Sequence, residues 1–345
     1  MRLGYSLGSL AGTGLTPAVH GDIARVVERL GFESLWSAEV AATDPAGFLG
    51  WLARQTTNMR LGTAVLQISA RSPVAMAAAA ATLNQLSGGR FVLGIGSSGP
   101  QVVEGWHGQP YDRPLTRMRD YITVLRMTLA GEPVQYAGET LTLPLPGGQG
   151  QSLPFMQPGR GGQIPLYVAG LGPKMVALAG ELADGWLAIH CPPEFIASAR
   201  SWLEAGAAAA GRTLTGFEIA AMVLTLVEED EELARDMMRP QLALYVGGMG
   251  TRQANFYNRL AGRLGFAEAA SRVQDAYLAG RLDEALEAIP DAMVDAMTVC
   301  GPAGKVKERF GAYRAAGTGT LIAGLVAPGS RMRYEQVERI AELMG

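Results

Sequence analysis

Apolar residues along this chain keep two alternating rhythms. The first is a set of short, continuous runs: RLGYSL (2–7), SLWSA (34–38), RLGTAVLQI (60–68), RFVLGIG (90–96), PLYVAG (165–170), GWLAI (185–189), a stretch within FEIAAMVLTLV (217–227), and TLIAGLV (320–326). Runs this short and this apolar read as strands buried on both faces. The second rhythm has a period near 3.6. Residues 17–31 place Ile23, Val26, Val27 and Leu30 at i, i+3, i+4 and i+7, and Gly31 closes the segment as a cap. Helix-like sequence also runs from Ala46 to Thr57 and from Pro73 onward. A further helix spans about Pro114 to Ala130, with Met118, Ile122, Leu125 and Leu129 on one face. Later helices carry Met175, Leu178, Ala179 and Leu182; then Val306, Phe310 and Tyr313; and finally Tyr334, Val337, Ile340, Ala341 and Met344.

Eight strand candidates alternating with helices point to an α/β fold of the (β/α)8 TIM-barrel class, over residues 1–345 as one domain. A doubly wound sheet shares the alternation, and only the strand count favours the barrel. Two stretches interrupt the pattern. Residues 131–163 form an insertion after the fourth strand: a small hairpin over 134–143, then a Gly/Pro-rich loop through 144–165 with no periodicity. A loop this long inside a domain is commonly a lid or disordered. Residues 230–300 are a helical insertion before the eighth strand, expected beside the barrel mouth or at a subunit contact.

Composition narrows the function classes. A net charge of −3 gives no electrostatic footprint for nucleic acid or an acidic membrane surface. No run approaches 18 apolar residues, and MRLGYSLGSL lacks the order of a signal peptide. Cys191 and Cys300 are the two cysteines, which fits a reducing compartment. A cytoplasmic enzyme acting on a small molecule is the expectation.

Several motifs fail on context. GYSLG (4–8) matches the G-x-S-x-G pattern, but Ser6 falls inside a strand and a glycine-rich loop follows, where a nucleophile elbow needs a helix. The pattern G-x-x-x-x-G-K-[ST] does not occur. His20, His107 and His190 lack ligand spacing, so no metal is expected.

What remains gathers at strand ends, where barrel active sites form. Strand two ends in Ser37-Ala38-Glu39, strand three in Val65-Leu66-Gln67 and strand four in GIGSSG (94–99). Strand five gives AGLGPK (169–174), and strand six leads to His190. In AGLGPK, backbone N–H groups, the start of a helix at Pro173 and the charge of Lys174 suit an anion, although glycines also serve close packing.

LGTAVLQISARSP (61–73), GGRFVLGIGSSGPQVVEGWHG (88–108) and PLYVAGLGPKMVALAGELADGW (165–186) resemble the bacterial-luciferase-like oxidoreductases, and within them the coenzyme F420 branch. GGMG…NFYN (247–258) and VCGPAGKVKERF extend the likeness through nearly the whole chain. The resemblance implies a (β/α)8 barrel holding a deazaflavin ring across its C-terminal mouth. It also implies a non-prolyl cis peptide in the third strand, joining Ala64 to Val65 by position, with Leu66 and Gln67 completing a bulge behind the ring. Ser97-Ser98-Gly99 and Ala169-Gly170-Leu171-Gly172 match the cofactor loops, the latter near the phosphate of its side chain. Glu39 matches an acidic position at the end of strand two, as an acid or base or as a group that orients the ring. His107 is a candidate proton donor, and His190 a candidate facing the mouth. A homodimer is implied on the same grounds.

The chain also departs from the sugar-phosphate dehydrogenases of that family. Val40 stands where they carry a histidine, Gly99 where they carry a glutamate, and Cys191-Pro192-Pro193 where they carry a phosphate-binding lysine. Glucose 6-phosphate is therefore not the expected substrate, and a more apolar pocket is. The implied activity is hydride transfer between F420 and a small organic substrate with a C=C, C=N or C=O bond. The alternatives are an FMN-dependent monooxygenase of the same superfamily and a non-catalytic F420-binding protein.

Overall fold

The computed structural model describes residues 1–8, 13–40, 43–154 and 163–344. Eight parallel strands close on themselves: β1 (Arg2–Gly8), β2 (Ser34–Ser37), β3 (Arg60–Thr63), β4 (Phe91–Gly96), β5 (Leu166–Ala169), β6 (Gly185–Ile189), β7 (Glu218–Val227) and β8 (Thr320–Leu325). Each pairs with the next in sequence, and β8 pairs back to β1, which completes a (β/α)8 barrel.

Local chemistry sets where helices begin. Thr16, Asp44 and Ser72 each accept a backbone N–H of the first helical turn, and a proline follows each of them. The side chain satisfies an orphan donor, and proline fixes φ where no N–H partner is needed. The barrel interior is filled by Trp36, Val92, Tyr167, Leu187, Ala220 and Ile322, so it is a packed core and not a channel. Beneath the mouth β3 and β4 come unusually close. Thr63 Oγ1 and the Gly94 backbone exchange hydrogen bonds at 2.8 and 2.9 Å, and a Cβ on Gly94 would lie 1.9 Å from the Thr63 carbonyl oxygen.

The opposite end is closed by charge. Glu218, at the start of β7, meets Arg2 at 2.5 Å and Arg60 at 3.1 Å and accepts from Tyr167 Oη at 2.7 Å and from Thr320 Oγ1. Burial alone would raise its pKa, but hydrogen bonds from Arg60, Thr320 and Tyr167, with the charge of Arg60, hold it at about 2.

Three features differ from the sequence expectation. The helix expected over 46–57 is Pro45–Leu52, and beyond it the Glu28 carboxylate accepts the N–H groups of Thr57, Asn58 and Met59. Val299–Gly301, expected within the helical insertion, is a short parallel strand on Thr225–Val227. Ten residues make β7 longer than its neighbours, and its overhanging end offers open hydrogen-bonding groups. A short helix, Pro100–Gly105, follows β4 directly. The hairpin expected over 134–143 is present as Tyr136–Ala137 paired with Thr142–Leu143. Residues 155–162 of the expected Gly/Pro-rich loop lie outside the described residues. No helix among the described residues is long and apolar enough to cross a membrane.

Candidate functional site

The third strand breaks where the family resemblance places the bulge. The Ala64–Val65 peptide is cis, and the chain resumes pairing with β4 at Leu66 and Gln67. Glu39, just past β2, brackets this bulge. Its backbone N–H donates to the Val65 carbonyl at 3.1 Å, and its Oε2 accepts the Gln67 backbone N–H at 2.7 Å. Its Oε1 pairs with Arg71 at 2.5 Å. Both carboxylate oxygens are thus engaged, one with the bulge backbone and one with a guanidinium.

The strand ends that suit a cofactor converge on this bulge. A Cβ built on Gly96 would lie 2.7 Å from Val65 Cγ2 and 3.8 Å from Ala169 Cβ, so the ends of β3, β4 and β5 are in mutual contact. Ser97 and Gly99 are half-buried beside it, and Ser98 takes φ 55°, a left-handed conformation rare outside glycine. Past β5, a Cβ on Gly170 would meet Met175 at 2.5 Å, whereas Gly99 and Gly172 have nothing within 4 Å of that position. Trp186 Nε1 donates to the Gly170 carbonyl at 2.8 Å, and Arg263 Nη1 donates to the Leu171 carbonyl at 2.9 Å. Gly172 begins the helix Pro173–Leu182, and no side chain caps it.

The two mouth histidines differ. His107 is half-buried, and its Nε2 faces Gln67 Oε1 at 3.4 Å. The Gln67 amide donates to the Glu39 carbonyl at 3.1 Å, so His107, Gln67 and Glu39 form one polar chain. His190 follows β6 with φ 55°, and it is buried. Neither of its ring nitrogens has a hydrogen-bond partner among the described residues, and burial lowers its pKa to about 3. Its ring centroid lies 4.1 Å from that of Tyr245 and 5.7 Å from that of Tyr257.

The sequence reading did not single out Tyr245, Tyr257, Arg71 or Arg263. Three of them, Tyr245, Tyr257 and Arg263, come from the insertion, whose placement no local pattern reports. Arg71 could have been found in LGTAVLQISARSP, where it is the one cation beside the bulge. A cavity of about 310 Å³ opens beside the segment that follows the bulge, lined by Ser69, Arg71, Ser97, Tyr111 and Tyr121 among others. It includes neither the Ala169–Gly172 turn nor His190, and so it neighbours the converged site without coinciding with it. Among the described residues, no three His, Cys, Asp or Glu side chains gather where they could hold a metal ion.

Comparison with known proteins shows the family and the fold. Residues 1–320 match the family model of the luciferase-like monooxygenases. A protein of Mycobacterium tuberculosis assigned to the coenzyme F420-dependent oxidoreductases is 40% identical over 352 residues, covering 100% of this chain and 99% of that protein. The 5,10-methylenetetrahydromethanopterin reductase of Archaeoglobus fulgidus is 30% identical over 306 residues, 87% of each chain. Among solved structures, the coenzyme F420-dependent tetrahydromethanopterin reductase of Methanopyrus kandleri superposes with a TM-score of 0.82 at 24% identity, covering 99% of this chain and 97% of that one.

Proposed function

We propose that this chain, which belongs to the luciferase-like monooxygenase family, is an F420-dependent oxidoreductase moving a hydride between the deazaflavin and a small organic substrate. The observation that carries this reading is the Ala64–Val65 bulge, bracketed by Glu39 and in contact with the ends of β4 and β5. Relatives whose names include coenzyme F420 support the choice of cofactor.

The residues present fit such a group. Val65 supplies an apolar wall, and the open space at Gly99 and Gly172 lets backbone N–H groups approach a ligand closely. The uncapped start of the helix Pro173–Leu182 leaves amide donors for a phosphate, and the Gly170 carbonyl is held away from them by Trp186. When bound, F420 would supply the hydride from C5 of its ring.

The chain then orients, shields and handles protons. Glu39 fixes the bulge by holding the Gln67 backbone and Arg71, a positioning role. His107 carries the accompanying proton: it is the half-buried mouth histidine, and Gln67 holds its ring in place. His190 stays uncharged through the working pH range and cannot act as an ordinary acid there.

The test is a titration of the purified apoprotein with F420 and, separately, with FMN, each followed by cofactor fluorescence. Saturable binding of F420 with no comparable binding of FMN is the expected result. Tight FMN binding with oxygen consumption would move the protein to the flavin monooxygenases. F420 binding without turnover of any unsaturated substrate would make it a carrier.

A further inference from the structure

The helical insertion contributes one device that the cofactor reading leaves unused. After the helix Glu231–Ala243 the chain widens into a π-helical turn, Leu244–Gly248. Such turns are rare and tend to occur at functional sites. This one is held open deliberately. Asn255 Nδ2 donates to the carbonyls of Tyr245 and Val246 at 3.2 and 2.8 Å, and Asn258 Nδ2 donates to Val246 and Ala270 at 3.2 and 2.7 Å. Gly247 and Gly248 lie against Tyr277, where any side chain would collide with its ring. The GGMG…NFYN motif is therefore a scaffold that sets Tyr245 and Tyr257 in place.

Their target is His190. The two tyrosine rings sit edge-on to each other at 4.9 Å and both face the imidazole. Tyr257 also packs on the barrel-interior cluster that includes Ala64 and Ile189, with Val65 and Ala169 at its margin, so the trio borders the proposed ring site. Both tyrosines are half-buried, and the buried His190 has two ring nitrogens without a hydrogen-bond partner among the described residues. An unmade hydrogen bond in a buried place costs about 1–3 kcal/mol, and such groups in native proteins call for an explanation. No charged side chain acts on His190; burial alone perturbs it.

We infer that His190, Tyr245 and Tyr257 form an uncharged recognition wall for the oxygen of a neutral ketone, enone or alcohol substrate. The inference rests on the hydride-transfer reading of the same site. Imidazole N–H and phenol O–H donors serve a carbonyl oxygen well, and the flanking Ile189 and Met222 suit a hydrocarbon body. A carboxylate or phosphate here would be buried with no cation beside it, which is unfavourable. Tyr245 and Tyr257 are specificity residues in this arrangement, and His190 contacts the substrate as a fixed, neutral donor.

The experiment uses full-length protein saturated with F420 and two probe series: 2-cyclohexen-1-one with acetophenone, and 4-acetylbenzoate as the charged counterpart. The chain has three histidines, so a 15N-histidine-labelled sample gives a spectrum in which His190 is assigned by the loss of its signals in His190→Gln. Saturating a neutral probe is expected to shift the His190 nitrogens while leaving His20 unchanged. Tyr257→Phe and His190→Gln are expected to keep F420 affinity within about twofold and to weaken neutral-probe binding at least tenfold. Binding of 4-acetylbenzoate as tight as that of acetophenone would overturn the inference, as would neutral-probe binding that leaves His190 unshifted or the variants unaffected. Failure of wild-type protein to bind F420 would instead remove the cofactor reading, and the probe series with apoprotein would still report on the wall.

Discussion

Glu39 and Gln67 are tied to each other twice across the bulge: the Gln67 backbone N–H donates to the Glu39 carboxylate at 2.7 Å, and the Gln67 side-chain amide donates to the Glu39 carbonyl at 3.1 Å. Twenty-eight positions apart in sequence, they bind the ends of β2 and β3 into one unit. Glu39→Gln keeps the shape but removes the charge that Arg71 faces. We expect a loss of about 1–3 kcal/mol in stability, the usual cost of weakening a largely buried charge-assisted contact. F420 affinity should fall by about tenfold, or about 1.4 kcal/mol. Chemical denaturation and fluorescence titration measure the two separately, and an unchanged F420 affinity would remove the positioning role.

Gly172 offers a test in which stability and binding move apart. It begins the helix Pro173–Leu182 with no side-chain cap, at φ −90°, and nothing lies within 4 Å of a Cβ there. Aspartate is among the best residues at such a position, so Gly172→Asp should leave stability equal or slightly raised, by a few tenths of a kcal/mol. The added negative charge would occupy the place proposed for the cofactor phosphate. F420 binding should therefore weaken by about tenfold or more while the melting temperature holds. Retained affinity would show the turn to be structural only.

Gly94 has no such freedom. A methyl group there would meet the Thr63 carbonyl at 1.9 Å and Leu187 at 2.6 Å, and the first of these is backbone. Gly94→Ala should destabilise the barrel by on the order of 4 kcal/mol or more, through overpacking at a site that cannot relax. Soluble yield and the denaturation midpoint decide it; a midpoint near wild type would show that β3 and β4 can separate without cost.

Glu218 predicts a pH signature at the barrel floor. Its folded pKa of about 2 lies below the ordinary 4.5, so its contribution is complete above about pH 4.5 and is lost as pH falls through about 2. Wild-type stability should decline across that window by up to about 3 kcal/mol on this account. In Glu218→Gln that component of the slope should vanish, with a lower plateau at neutral pH and F420 binding unaltered. Parallel acid curves for the two proteins would refute the assignment.

The strand ends that carry the candidate site were legible in the sequence, because short, continuously apolar runs read as interior strands and a barrel's chemistry gathers where such runs stop. The family likeness of LGTAVLQISARSP fixed the position of the cis peptide, and the structure has it at Ala64–Val65. Periodicity also located most of the helices between the barrel strands. What the pattern could not report was any pairing between distant segments. Glu28, in the preceding helix, holds the backbone of Thr57, Asn58 and Met59 after the helix Pro45–Leu52, and Val299–Gly301 becomes a strand because the long β7 leaves an edge for it. His190 was visible as a strand-end histidine, but its loss of charge and of partners depends on Tyr245 and Tyr257, delivered from more than fifty positions away. Local composition thus determined which segments are strands, helices and glycine turns, since those follow from burial and backbone freedom within a few residues. Tertiary structure alone decided which charges are paired and which polar groups stand bare, because desolvation and partnership are properties of what the fold brings together.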